Sequence, residues 1–304
     1  MRKIVSLLLV IAAASIAGLA TLQTLTTQAA DVRIAVEFND HSAAFWVALE
    51  KGYFDEEGVK VTYKVFSTGL ELSAAMKAGD VDMAIACLGP VLVIADKGYD
   101  IRLVEMLHNH GYSLVARPGI SSIDELKGAT ISATGPGSPT WLLLHLINDE
   151  YGLDATIKRM KPQIAINALI AGEIDAAVLP EHYATLAVER GAKRILTSQD
   201  IWPDMPGSGL VVTADFLKQH PGIVRKVAAA LRKATEFINK HPDEAAAIVA
   251  KYLGSDPETM RKSMSYLKYT TQIDRDQIKR YITYLMKYGA IETNPTTLEK
   301  EILP

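Results

Sequence analysis

Two patterns alternate along the chain from about residue 31. Short apolar runs at residues 32–36, 59–66, 81–87 and 101–106 read as strands. Between them lie stretches with apolar residues at near-helical spacing, such as Phe45, Trp46, Leu49 and Tyr53, or stretches closed by a glycine, as at Gly79 and Gly98. This order of strand, helix and strand predicts a parallel sheet with helices on both faces. Residues 112–117 read as an extended crossing to a second block. That block has a short helix at 122–126, strands at 130–133 and 176–179, a helix at 141–151 and an edge strand at 194–196. A stretch rich in proline and glycine at 202–209 leads into apolar residues 210–213, read as the crossing back. From His220 onward the pattern is helical, with Pro221, Pro242 and Pro257 each at a helix start and Asp274 and Gln277 spaced as a capping box. The C-terminal third is therefore expected to be a helical buttress on one lobe.

One phrase is written twice. Ala75-Met76-Lys77-Ala78-Gly79-Asp80-Val81-Asp82 and Ala168-Leu169-Ile170-Ala171-Gly172-Glu173-Ile174-Asp175 each read as a helix end, a glycine stop, an acidic turn and the start of a buried strand. The repetition predicts two similar lobes with a ligand held between them. Asp80, Asp82, Glu173 and Asp175 are expected to be scaffold. The strands they feed should end in the cleft, at Cys87-Leu88-Gly89 and at Pro180-Glu181-His182.

Composition narrows the function. The 304 residues are 49% hydrophobic, enough for one large domain or two medium ones. A formal charge of −3 and the lack of a basic field argue against nucleic-acid binding. Arg2 and Lys3 precede an apolar run at residues 4–20, and small residues follow at Ala29 and Ala30. This is the order of a secretory signal, cut after Ala29 or Ala30 or retained as a membrane anchor, and it predicts a periplasmic or extracellular protein. The expected division is a signal peptide at 1–30, a first lobe at 31–115, a second at 116–205, and a return to the first with C-terminal helices at 206–304. Cys87 is the one cysteine, so no disulfide forms within the chain.

Ligands of open parallel sheets lie beyond the carboxyl ends of the strands. That rule selects Asn39, Asp40 and His41; Ser67, Thr68 and Gly69; Cys87, Leu88 and Gly89; His108 to His110; the loop Gly135 to Trp141; and Glu181. Gly137, Ser138, Pro139 and Thr140 place free N–H groups and two hydroxyls at a helix start, which suits an anion or polar acceptor and equally an ordinary capped helix. Phe45, Tyr112, Trp141 and Trp202 can serve as apolar walls or as core. His108 and His110 have no third metal ligand nearby, no Gly-x-Ser-x-Gly occurs, and the pair Gly135 and Gly137 lacks the third glycine of a dinucleotide site. No catalytic apparatus, metal or cofactor is expected.

The stretch from His41 through Phe45, Ala48, Glu50, Gly52, Tyr53, Phe54 and Gly58 to Val61 resembles the opening of periplasmic solute-binding proteins of the nitrate/sulfonate/taurine and thiamine-pyrimidine-precursor type. Leu72, Ala75, Ala78, Gly79, Asp80, Val81 and Asp82 fit the same family, as do Ser122, Asp124, Leu126, Lys127 and Gly128. The resemblance covers the mature chain and is more specific for the family than for the ligand. It implies the type II periplasmic-binding-protein fold: two α/β lobes joined by two crossing strands. It also implies hinge closure on a small solute and delivery by a monomer to an ABC transporter permease. The loops at Asn39 to Ser42, Ser67 to Gly69, Cys87 to Gly89, Gly137 to Trp141 and Glu181 are the family's ligand-contacting positions. Asp40 and Glu181 lie in these loops and no arginine does, which favours a nitrogen heterocycle or amine-bearing solute over a sulfonate, nitrate or taurine-type anion. An enzyme resembling the pyrimidine synthases of this fold would need a cysteine-rich motif, which a lone Cys87 does not provide. A sensory binding module would share the same pocket. Glu181→Gln and Trp141→Ala are expected to weaken solute binding without unfolding the chain.

Overall fold

The computed structural model describes residues 30 to 303, so residues 1 to 29 of the expected signal peptide lie outside the described residues. In chain order the strands are β1 Ala30–Glu37, β2 Val59–Phe66, β3 Met83–Cys87, β4 Ile101–Met106, β5 His108–His110, β6 Tyr112–Ala116, β7 Thr130–Ala133, β8 Thr156–Arg159, β9 Ala176–Pro180, β10 Lys193–Thr197, β11 Ser208–Thr213 and β12 Leu267–Tyr269. One sheet has the order β2-β1-β3-β11-β4 and the other β10-β6-β9-β7-β8. Among the described residues no helix is long and apolar enough to cross a membrane.

Neither sheet is purely parallel. β1 runs parallel to β2 and β3, but β11 lies antiparallel between β3 and β4. In the second sheet β7 is parallel to β8 and β9, and β6 is antiparallel to β9 and β10. Residues expected to be the crossings are thus full sheet members. Their side chains explain this, since Tyr112, Ser113, Leu114, Val115 and Ala116 are all buried, as are Leu210, Val211 and Val212. The chain passes between the lobes at residues 107–111 and 202–207 instead. There β5 pairs antiparallel with β12, a strand inside the region expected to be helical throughout. His110 and Gly111 take the left-handed region, with φ of 66° and 89°, where the chain turns into the second lobe.

The doubled phrase builds the same joint in each lobe. Gly79 and Gly172 have φ of 77° and 75° and end the helices Gly69–Lys77 and Pro162–Ile170. The following acidic residue donates its N–H back to the helix, Asp80 to the Ala75 carbonyl at 3.1 Å and Glu173 to the Ala168 carbonyl at 2.8 Å. Asp82 and Asp175 then reach the neighbouring strand. The Asp82 carboxylate accepts from the Arg33 N–H and the Asp175 carboxylate from the Thr130 N–H, each at 2.9 Å. Arg33 and Arg117 close the two joints as ion pairs at 2.7 and 3.1 Å.

The C-terminal helices straddle both lobes rather than buttress one. Pro221–Lys240 and Pro242–Leu253 pack on the helix Ala43–Glu50 of the first lobe, while Pro257–Met264 packs on Glu181–Glu189 of the second. Helix Arg275–Lys287 sends Ile278, Tyr281, Ile282 and Leu285 into a core shared with Val91 of the first lobe and Leu142 of the second. Its apolar stripe faces the junction, so the junction decides where it sits. Asp274 caps it by accepting from the N–H groups of Asp276 and Gln277. The Gln277 side chain instead accepts from the indole of Trp202 at 2.7 Å, so only half of the expected box forms. Asp82→Ala and Asp175→Ala should each lower stability by about 1 to 3 kcal/mol, because each removes a carboxylate that accepts from both a backbone N–H and an arginine. Denaturant unfolding of the two variants checks this, and the two losses should be similar.

Candidate functional site

The carboxyl ends of β1 and β3 face those of β7 and β9, and each hands the chain to a helix start. Thr68 caps Gly69–Lys77 by accepting from the Glu71 N–H, and Ser138 caps Pro139–Tyr151 by accepting from the Trp141 N–H. Cys87 and Pro180 stand at the N-caps of Leu88–Asp96 and Glu181–Glu189, and Pro162 begins Pro162–Ile170. Between these starts lies a small cavity. The first lobe lines it with Glu37, Asn39, Ser67, Thr68, Gly69, Leu70, Cys87 and Pro90. The second contributes Tyr112, Thr134, Ser138, Pro139, Thr140, Pro162 and Pro180. The positive ends of helices from both lobes therefore converge on one space.

One carboxylate is built into that space. Glu37 is buried, and its Oε1 accepts from the Cys87 N–H at 3.2 Å while Oε2 accepts from the Asn39 amide at 3.3 Å. A Cβ on Gly69 would lie 2.8 Å from Glu37 Oε1, so glycine is what lets the helix start approach the carboxylate. Across the cavity, the Thr140 hydroxyl accepts from the Thr134 N–H at 3.1 Å and lies 3.2 Å from the Ser138 hydroxyl. No lysine or arginine is among the lining residues.

Cys87 belongs to a neutral cluster at the back. Its Sγ lies 3.3 Å from the Tyr112 hydroxyl, 3.4 Å from the Ser208 hydroxyl and 3.7 Å from His41 Nδ1. His41 Nε2 lies 2.9 Å from the Gly111 carbonyl, which can only accept, so Nε2 carries the proton and Nδ1 is left to accept from the thiol. Burial lowers the His41 pKa and raises that of Cys87 well above its ordinary value. While it is buried, such a thiol is a hydrogen-bonding wall and not a nucleophile.

Asn39, Ser67, Thr68, Gly69, Cys87, Tyr112, Ser138, Pro139, Thr140 and Pro180, named from the sequence, line the cavity. The other selected residues lie elsewhere. Asp40 is fully buried behind the cavity, accepting from the Ser263 hydroxyl at 2.5 Å beside His182. Phe45 packs among Trp46, Phe54 and Tyr63, and Leu88 lies in the core. His108 accepts from the Ser208 N–H at the hinge. Gly89 and Gly137 meet at the lobe contact, where a Cβ on Gly89 would strike the Gly137 carbonyl. Trp141 turns toward His145 and a separate recess with Pro136 and Ile157. Trp202 packs on Tyr281 and Tyr284 as core.

Glu181 lies inside the second lobe. It accepts from Ser113 at 2.7 Å and Thr185 at 3.0 Å and pairs with Arg194 at 2.5 Å. Having spent its carboxylate within one lobe, it has nothing to offer the cleft. Glu37, Leu70, Thr134 and Pro162 were not selected from sequence. Glu37 had a signal, as an acidic residue ending an apolar strand next to Asn39. Contacts between lobes close over the cavity: Lys161 pairs with Glu71 at 2.6 Å, and the Tyr183 hydroxyl donates to the Phe38 carbonyl at 2.9 Å.

Burial pushes the Glu181 pKa from 4.5 to about 7 against the pull of Arg194. The native state therefore keeps a proton that the unfolded chain loses between these values. This contribution to stability is full below pH 4.5 and is lost as the pH rises through about 7. The advantage of the wild type over Glu181→Gln in denaturant unfolding should shrink on going from mildly acidic to mildly basic pH. An advantage that grows instead contradicts this.

Residues 39–245 match the NMT1/THI5-like family. The taurine-binding periplasmic protein of Escherichia coli K12 is 26% identical over 233 residues, covering 74% of this chain and 72% of that protein. The nitrate-binding protein NrtA of Synechocystis PCC 6803 superposes with a TM-score of 0.81 at 13% identity, over 91% of this chain and 86% of that one. The alkanesulfonate-binding protein SsuA of Xanthomonas axonopodis pv. citri, bound to MOPS, gives 0.78 at 17% identity, over 90% and 99%. The family match runs through both lobes and the cleft between them, so the chain belongs to the NMT1/THI5-like family.

Proposed function

We propose that this protein works outside the cytoplasmic membrane as a monomer, closes its lobes on a small nitrogen-bearing solute and presents the closed form to an importer's permease. The observation that carries the ligand class is Glu37, a fixed carboxylate on the wall of a cavity that no cationic side chain lines. A solute anion about 4 Å from it would meet roughly 4 kcal/mol of repulsion at an effective dielectric of about 20. A protonated amine or the N–H of a heterocycle gains there instead, with Asn39 beside it and the hydroxyls of Ser138 and Thr140 opposite. An aminopyrimidine has this pattern of donors and acceptors.

A second reading has one specific support. The helix starts and hydroxyls of the second-lobe wall suit a compact anion, as in the relatives named for taurine, nitrate and alkanesulfonate. Thermal unfolding of the mature protein against aminopyrimidines, amines, alkylsulfonates and nitrate separates the two, since a bound solute stabilises the fold by RT ln(1 + [L]/Kd). Nitrogen-bearing solutes should raise Tm, and Glu37→Gln should weaken them by about ten-fold, the worth of one charge-assisted contact. Tight alkylsulfonate binding with no response to any nitrogen-bearing solute would overturn the proposal.

A further inference from the structure

A groove opens from the mouth of the cavity, lined by Leu70 and Glu71 of the first lobe and by Arg159, Met160, Lys161 and Ile164 of the second. It is continuous with the cavity, because Thr68, Leu70 and Thr134 line both. The charges change sign along this path. Inside stands the Glu37 carboxylate with no cation, and at the mouth stand two cations. Lys161 is engaged with Glu71 across the cleft at 2.6 Å. Arg159, exposed at the end of edge strand β8, makes no ion pair among the described residues, although the chain has 35 acidic side chains. Its position is shaped, since a Cβ on Gly135 would lie 2.8 Å from Arg159 Nε. Between cavity and arginine the surface is apolar, through Leu70, Met160 and an Ile164 that is 56% exposed. A branched apolar side chain that open to water, beside an unpaired guanidinium, fits a stem that ends in an anion.

We propose that the solute is bipartite: a nitrogen-bearing head in the cavity, a short apolar stem over Leu70, Met160 and Ile164, and a carboxylate, sulfonate or phosphate held by Arg159. This rests on the reading of the cavity as the solute site and extends it outward. The planar guanidinium binds such groups through two parallel hydrogen bonds.

Size-matched pairs test it by titration calorimetry: 4-aminobutanoate against 4-aminobutanamide, and 6-aminohexanoate against 6-aminohexanamide, with the wild type, Arg159→Gln and Arg159→Lys. For at least one length the acid should bind the wild type about ten-fold more tightly than its amide. The preference should fall below about two-fold in Arg159→Gln and be intermediate in Arg159→Lys, which keeps charge without the fork. An acid preference absent from the wild type, or unchanged in Arg159→Gln, overturns the inference. If acids and amides bind the wild type equally, the inference fails and the cavity reading stands. If neither binds at either length, the inference fails, and the cavity reading is decided by the aminopyrimidines of the thermal-unfolding test.

Discussion

The first-lobe wall of the cleft is arranged around one buried carboxylate. Glu37 ends a central strand at the point where helix starts from both lobes converge, and it takes its hydrogen bonds from Cys87 N–H and Asn39. Backbone N–H groups at helix starts need acceptors, and a carboxylate is the strongest neutral-pH acceptor a chain can supply. With Glu37 in place, the helix starts of the first-lobe wall already have their acceptor. The second-lobe wall carries hydroxyls instead, Ser138 capping its helix start and Thr140 accepting from the Thr134 N–H. The asymmetry between two lobes built from the same phrase is what gives the cavity a direction.

Closure over that cavity is held lightly. The Lys161–Glu71 pair is half exposed and so contributes on the order of 0 to 1 kcal/mol. The Tyr183 hydrogen bond to Phe38 adds about 1 kcal/mol. A bound solute bridging both walls can therefore decide the balance between open and closed forms. The hinge is more firmly built. β6 and β11 lock each passing segment into the sheet it enters, β5 pairs with β12 between them, and helix Arg275–Lys287 packs on both lobes.

Much of this was legible from spacing alone. The doubled phrase marked both lobes, because a glycine with positive φ and an acidic residue whose N–H bonds back to the helix form a local turn that needs no distant partner. Prolines 221, 242 and 257 marked helix starts for the same reason. What escaped depended on contacts between distant residues. The antiparallel insertion of β11 is set by pairing with β3 and β4, which alternation cannot express. Glu181 looked available in its loop, but Arg194 and Ser113 claim it from elsewhere in the second lobe. Trp141 stood one residue past the cavity-lining Thr140, and the helix turned it to the opposite side.

Cys87 offers the most direct test of the central claim, because it is the one thiol in the chain, lines the cavity and is buried when the lobes are closed. The rate of its alkylation by iodoacetamide, measured with and without a solute that raises Tm, reports whether that solute occupies this space. The account predicts slow labelling of the free protein through transient opening, suppressed in proportion to solute occupancy. A labelling rate unchanged at saturating solute would place the solute outside the cleft and contradict it.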